Sequence, residues 1–236
     1  MRKSIISLLF VLFSVTISAF AVGGDEIPKE DVQLMGKIYR FPTGLEGCPY
    51  LSIDWQQTSV YLENGKVATD IKGRFDILNN DLIFYNESLK RVFVAEKDFV
   101  NSFVLYPGTP DSLFFFKYQG EDVGYRLKNN DFVHALYRGK INFFVKHLAD
   151  VVRASNVGAK DEIFPKNFYF VQIGDNTYSF KPRYKYVYQI FPKKRKEIRK
   201  LISENKIRKA TENNLKVLFS LIEKNESIMG AASRSK

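Results

Sequence analysis

The sequence predicts a mainly β (α+β) protein: an antiparallel β-meander that curls or partly closes into a barrel, followed by a C-terminal two-helix hairpin. Three observations carry this expectation. Short runs rich in aromatic and β-branched residues alternate in hydropathy with the period of two that a half-buried strand imposes. Asn, Asp and Gly separate the runs, and these residues tolerate the backbone conformations of tight turns. Beyond Pro182 the apolar residues change to a helical period.

The first element is an address. Arg2 and Lys3 precede an apolar stretch over residues 5–20 that closes on Ala19-Phe20-Ala21. A short basic lead, an apolar run below the ~20 residues of a spanning helix and a small-x-small ending define a signal peptide over 1–21. The chain is therefore expected to be exported, periplasmic or secreted, with no transmembrane segment after cleavage. Cys48 lies too far along to carry a lipid anchor. As the single cysteine it forms no disulfide within the chain, and it reads as a small buried hydrophobe.

Residues 22–181 form the expected β-rich domain. Runs at 58–63 and 66–71 flank Asn64-Gly65, the strongest short hairpin signal, for which a type I′ turn is expected. Runs at 75–78 and 82–85 flank Asn79-Asn80-Asp81. Further strands are expected at 91–95, 100–105, 113–118, 132–137 and 141–145, the last two turning on Arg138-Gly139. A final hairpin pairs 168–173 with 177–180 around Gly174-Asp175-Asn176. Short connections favour pairing between sequence neighbours, hence a meander.

Residues 182–236 form the expected basic helical appendage. Tyr184, Tyr186 and Tyr188 alternate, which predicts one more extended segment with its tyrosines on one face. Pro192 opens a first helix with Ile198, Leu201 and Ile202 on one side. Thr211 caps a second helix carrying Leu215, Leu218, Phe219 and Ile222 on one side. Small polar residues from 227 read as a frayed tail.

Composition excludes several classes. At 45% hydrophobic and 26% charged residues, the chain is neither disordered, collagenous nor a multi-span membrane protein. The formal net charge of +10 resembles that of a nucleic-acid binder, but its distribution argues otherwise. Residues 22–180 hold 18 basic and 21 acidic side chains, whereas 181–236 hold 16 basic and 5 acidic. Lys193, Lys194, Arg195, Lys196, Arg199 and Lys200 fall within eight consecutive positions. The run lacks interleaved stacking aromatics, so no nucleic-acid partner is expected. A solvated helix face and a patch for an anionic envelope component or protein are the competing readings.

No chemistry-specific motif is present, and no catalytic, cofactor-binding or metal-binding residue is assigned. The two histidines, His134 and His147, sit in apolar runs and read as hydrogen-bonded strand residues; no His-Glu-x-x-His or Cys-x-x-Cys accompanies them. Phosphate-cradling glycine loops and Gly-x-Ser-x-Gly are absent. The acidic pairs Asp25-Glu26, Glu30-Asp31, Glu121-Asp122 and Asp161-Glu162 fall where solvated loops are expected.

Trp55-Gln56 ahead of a strand that turns on Asn64-Gly65, the segment 98–103, the hairpin 168–180, and the stretches 191–200 and 202–206 together resemble a group of small exported proteins of Bacteroidota. About half the mature chain carries the resemblance. It departs at Gly174-Asp175-Asn176, where an Asp-Gly turn is more usual. The resemblance implies export and a β-rich domain with a basic helical tail; it implies no activity.

The expected function is therefore that of an exported, non-catalytic binding protein. One alternative is a β-barrel carrier of a small apolar ligand, which requires a hollow interior of roughly 300–1,000 Å³. The other is a hydrolase using carboxylates from different strands.

Overall fold

The computed structural model describes residues 32–108, 111–156, 160–225 and 227–229. The signal-peptide segment 1–21, the acidic pairs Asp25-Glu26 and Glu30-Asp31, and the tail from 230 lie outside the described residues. Among the described residues twelve strands form one large sheet that is not closed, and the helices follow the strands. The chain is mainly β.

The strands are β1 (Gly36–Ile38), β2 (Leu45–Glu46), β3 (Gln56–Leu62), β4 (Val67–Asp76), β5 (Asp81–Asn86), β6 (Arg91–Ala95), β7 (Val100–Tyr106), β8 (Leu113–Lys117), β9 (Phe132–Tyr137), β10 (Ile141–Val152), β11 (Asp161–Ile173) and β12 (Asn176–Phe180). Their order is β1-β6-β5-β4-β3-β7-β8-β9-β10-β11-β12, with β2 paired to β11. Two meanders meet at β3. One runs outward through β4, β5 and β6; the other starts at β7, which returns to the free edge of β3, and continues to β12.

Two hairpins form as expected, with turn chemistry set by where the glycine stands. At Asn64-Gly65 only Gly65 has a positive φ, 82°. Its N–H donates to the Leu62 carbonyl (3.0 Å) and the Leu62 N–H donates to the Lys66 carbonyl (2.9 Å). That is a type I turn closed by a glycine bulge, not the expected I′ turn. The Asn64 side chain accepts the Lys66 N–H (3.0 Å), a bond available without a left-handed Asn64. Between β11 and β12 the glycine comes first: Gly174 has φ 56°, and Ile173 pairs with Asn176 across a two-residue type II′ turn.

The sheet has to curl. β1 and β11 stand nine strand spacings apart in the sheet order, about 43 Å if the sheet were flat. Yet the chain passes from Ile38 in β1 to Leu45, paired with β11, in seven residues, which reach at most about 25 Å. Two further contacts fix the curl. The Ala149 N–H of β10 donates to the Ile77 carbonyl at the β4–β5 tip (3.0 Å). At the same tip the Asn80 side chain accepts the Phe132 N–H (2.7 Å) and donates to the Phe132 carbonyl (2.9 Å), imitating a strand partner for the start of β9.

Inside the curl the apolar side of each strand meets its neighbours. Val60, Phe75, Phe103, Phe115 and Phe132 are at most 1% exposed. The Phe103 and Phe115 rings stack at 4.8 Å, Phe75 lies 4.6 Å from Phe115, and Phe132 meets Phe103 edge-on at 5.1 Å. Aromatic side chains thus pack against one another along the inner side of β4, β7, β8 and β9.

The C-terminal half is covered by helices instead. These are α1 (Tyr184–Ile190), α2 (Arg195–Glu204) and α3 (Glu212–Lys224), joined to the strands in a core of Phe143, Val145, Val171, Phe180, Val187, Phe191, Ile198, Leu215, Leu218 and Phe219. The expected hairpin corresponds to α2 and α3. The expected extended segment at Tyr184, Tyr186 and Tyr188 is α1: burial of Val187 and Phe191, four residues apart, decides the period, and the tyrosines pack only partly against that core. The tail expected to fray from 227 instead places Ile228 in the core, wholly buried.

β10 and β11 outrun the expected strands, continuing to Val152 and starting at Asp161, so Asp161-Glu162 lies on a strand and not in a loop. Pro165 stands inside β11 opposite Ala149, whose N–H points away to Ile77. This is a pair without ladder hydrogen bonds, where a missing N–H is tolerated.

Asn80 gives the test. Asn80→Gly keeps the φ of 59° free of strain but removes both bonds to Phe132. Urea denaturation is expected to show a loss of roughly 1–3 kcal/mol. Asn80→Ala is expected to cost about 1 kcal/mol more, because alanine pays for the left-handed conformation.

Candidate functional site

The basic run is built on a buried base. Phe191 and Ile198, both in the shared core, pin the chain on either side of the Pro192–Lys194 turn that leads into α2. What remains outward is charge: Lys193, Arg195, Lys196, Arg199 and Lys200 are exposed and Lys194 is half-buried.

α1 supplies the organising group. Val187 is buried, which presents the neighbouring Tyr188 beside α2. The Arg195 and Arg199 guanidinium carbons lie 5.2 and 5.7 Å from the Tyr188 ring centre. Stacking on one ring holds two long side chains while leaving their N–H groups free to meet an anion. Lys194 pairs with Glu197 (3.2 Å) and Lys200 with Glu204 (3.7 Å). Glu197 is held below the usual carboxylate range by its own backbone N–H and then by Lys194. Such exposed pairs are worth little and leave the face strongly positive. The structure therefore brings all six predicted residues to one region, and adds Tyr188, which alternation had placed on a strand.

α3 is clamped at both ends. The Thr211 hydroxyl accepts the Asn214 N–H (3.4 Å), the expected cap. In its first turn Glu212 accepts the Tyr169 hydroxyl (2.6 Å). In its last, Glu223 accepts the Tyr137 hydroxyl and the Lys140 N–H, both at 2.9 Å. Burial pushes Glu223 up, but those donors outweigh it and hold the carboxyl below its ordinary value. Burial first, and then the bond to Glu212, push the Tyr169 hydroxyl up to about 12.

Under the start of α3 the two histidines meet, a contact that reading each run separately had missed. His134 Nδ1 lies 3.3 Å from His147 Nε2, and His147 Nδ1 lies 2.8 Å from Asn167 Oδ1. With the Asn167 oxygen accepting, the protons align: His147 donates to Asn167 from Nδ1, and His134 donates to the bare His147 Nε2. Both rings are then neutral. His134 also stacks on Phe115 at 5.3 Å. Burial, followed by the His147 charge and then Lys216, pushes His134 down to about 3. Burial also lowers His147, against the opposing Asn167 bond and Glu212 charge. The register of β9 on β10, shifted by a bulge between Phe143 and Phe144, creates this contact. Among the described residues no group of three or more His, Cys, Asp or Glu is placed to hold a metal ion.

The remaining candidates are dispersed. Glu121 and Asp122 are exposed in a loop, where Asp122 accepts the Asn129 N–H (2.8 Å). Asp161 accepts the Ala154 N–H (3.0 Å). Cys48 is half-buried, its thiol 3.5 Å from the Tyr50 carbonyl. Among the described residues no helix is long and apolar enough to cross a membrane. Comparison with protein-family models, with curated proteins and with solved structures finds no match to this chain.

The histidine pair predicts a pH dependence with a definite sign. The unfolded chain takes up a proton on His134 near 6.5 and the folded chain only near 3. Between those values the unfolded state binds more protons, so stability falls as pH falls. Unfolding free energies from urea titrations run down from about pH 7 should drop with a slope approaching about 1.4 kcal/mol per pH unit for one histidine. His134→Gln is expected to flatten that part of the profile, leaving the carboxylate-driven loss at lower pH.

Proposed function

We propose that this is an exported, non-catalytic protein that docks on an anionic envelope or extracellular partner through the face of Lys193, Lys194, Arg195, Lys196, Arg199 and Lys200. The observation that carries the reading is the pair of arginines held on Tyr188 within a cluster of six cations. A merely solvated helix face needs no ring to orient its guanidinium groups. A fixed fork beside mobile lysines suits carboxylate, sulfate or phosphate groups on a partner. The acidic balance of residues 22–180, 18 basic against 21 acidic, directs an anionic surface towards the helices. The leader-like segment 1–21 supports export by the physical pattern already given.

Deleting the helices is the wrong test, because Val187, Phe191, Ile198, Leu215 and Phe219 fill a core shared with β9 to β12. Charge removal at constant fold is the right one. A variant with all six cations replaced by Gln is expected to keep its thermal midpoint. Its co-sedimentation with phosphatidylglycerol vesicles and its retention on heparin should fall, by roughly a hundredfold or more for a flat anionic surface. Wild-type binding should weaken as salt rises. Equal retention of the two proteins on both supports would falsify the assignment of this face.

A further inference from the structure

A second cation, far from the helices in sequence, is held in a different way. Arg74 lies on β4 on the side opposite the phenylalanine core. Its guanidinium carbon is 4.3 Å from the Trp55 ring centre and 5.3 Å from that of Tyr50. Both walls are fixed. Residues around Tyr50 run beside the end of β4, with the Leu51 N–H donating to the Phe75 carbonyl (2.9 Å) and the Ile77 N–H to the Pro49 carbonyl (2.8 Å). The Tyr50 hydroxyl donates to that of Tyr39 (3.3 Å), which donates to Asp76 (2.9 Å). Asp76 is wholly buried and also accepts the Leu78 and Asn79 N–H groups. Trp55 in turn packs 6.3 Å from Tyr85.

What is missing is an acceptor. Nε of Arg74 is buried without a hydrogen-bond partner, and the residue as a whole is half-buried. No carboxylate among the described residues forms an ion pair with this guanidinium. Lys72, on the same face of β4, is by contrast satisfied by Glu87 (2.6 Å). A structural arginine is normally paired, because an unmatched buried donor carries a standing cost. Here two rings lie against the guanidinium and Nε is buried beside them, which leaves the Nη1–Nη2 edge as the part of the fork that can meet a ligand.

We propose that this edge of Arg74, walled by Trp55 and Tyr50, is a binding site for a carboxylate-bearing ligand. A planar carboxylate meets the two parallel Nη–H groups in bidentate fashion. A single guanidinium balances one negative charge, and Lys72, on the same face of β4, is already paired with Glu87. The aromatic walls give the ligand's carbon skeleton a surface to pack on. The site is independent of the basic helical face, and removing those six cations leaves it intact.

The chain carries its own reporter, since Trp55 is its one tryptophan. Titrating the purified protein with glucuronate and acetate, and following Trp55 emission, should give a saturable change. Glucose, chloride at matched ionic strength and inorganic phosphate serve as controls. Arg74→Lys, which keeps the charge and loses the fork, is expected to weaken carboxylate binding about tenfold or more. Arg74→Gln should abolish it. A wild type with no saturable response to either carboxylate overturns the site. So does a chloride response equal to that of acetate, or unchanged affinity in Arg74→Lys. Tighter binding of phosphate than of carboxylates overturns the ligand class. Should Arg74→Gln fail to fold, the wild-type titration and Arg74→Lys still decide the question.

Discussion

A row of phenylalanines along one face of an open sheet has to be kept from water, and in this chain the curl of the sheet does it. Val60, Phe75, Phe103, Phe115 and Phe132 are buried by other strands of the same sheet and by one another's rings. The bonds that hold the curl are few: Ile77 to Ala149 and the two-way pairing of Asn80 with Phe132. They close over an aromatic interior whose transfer from water supplies far more free energy than the bonds themselves. Their value lies in geometry: they choose one curvature among the many a twisted sheet permits.

The second half of the sheet meets the same requirement differently. Its apolar face, on Phe143, Val145, Val171 and Phe180, is covered by α1, α2 and α3. This division explains the charge split. Helices that bury one side against a sheet have the other side left for solvent, and there the basic residues collect. Strands turned inward on themselves have little room for charge; on β10 as well, the buried Lys146 is matched by Asp131.

Strands with one apolar side were legible because period two survives wherever one face stays wet, as in β3. β11 was only half legible: residues 161–167 are mostly exposed, mix charge with Ile163 and Phe164 and are interrupted by Pro165, and they are a strand because β10 offers a partner. α1 was misread because its tyrosines alternate by chance of spacing, whereas the burial that decides its period rests on Val187 and Phe191, only two residues. The six cations were plain in the sequence; Tyr188 as their organiser was not, because it belongs to another helix. The His134–His147 contact needed a register set by a bulge. Arg74, Trp55 and Tyr50 come from three separate segments, and nothing local in any of them announces the others.

The parallel contact of β2 with β11 sets an order of assembly. Leu45 has its partner at Asp161, so the strap between β1 and β11 stays open until the last third of the chain is available. The hairpins of both meanders form between sequence neighbours at small cost in loop entropy, while the strap closes the longest loop in the sheet. For a chain that emerges N-terminus first, β2, the second strand to appear, is thus among the last to be locked. Until then the phenylalanine face stands open, and the time taken to reach Asp161 sets how long the unfinished protein offers that face to its neighbours.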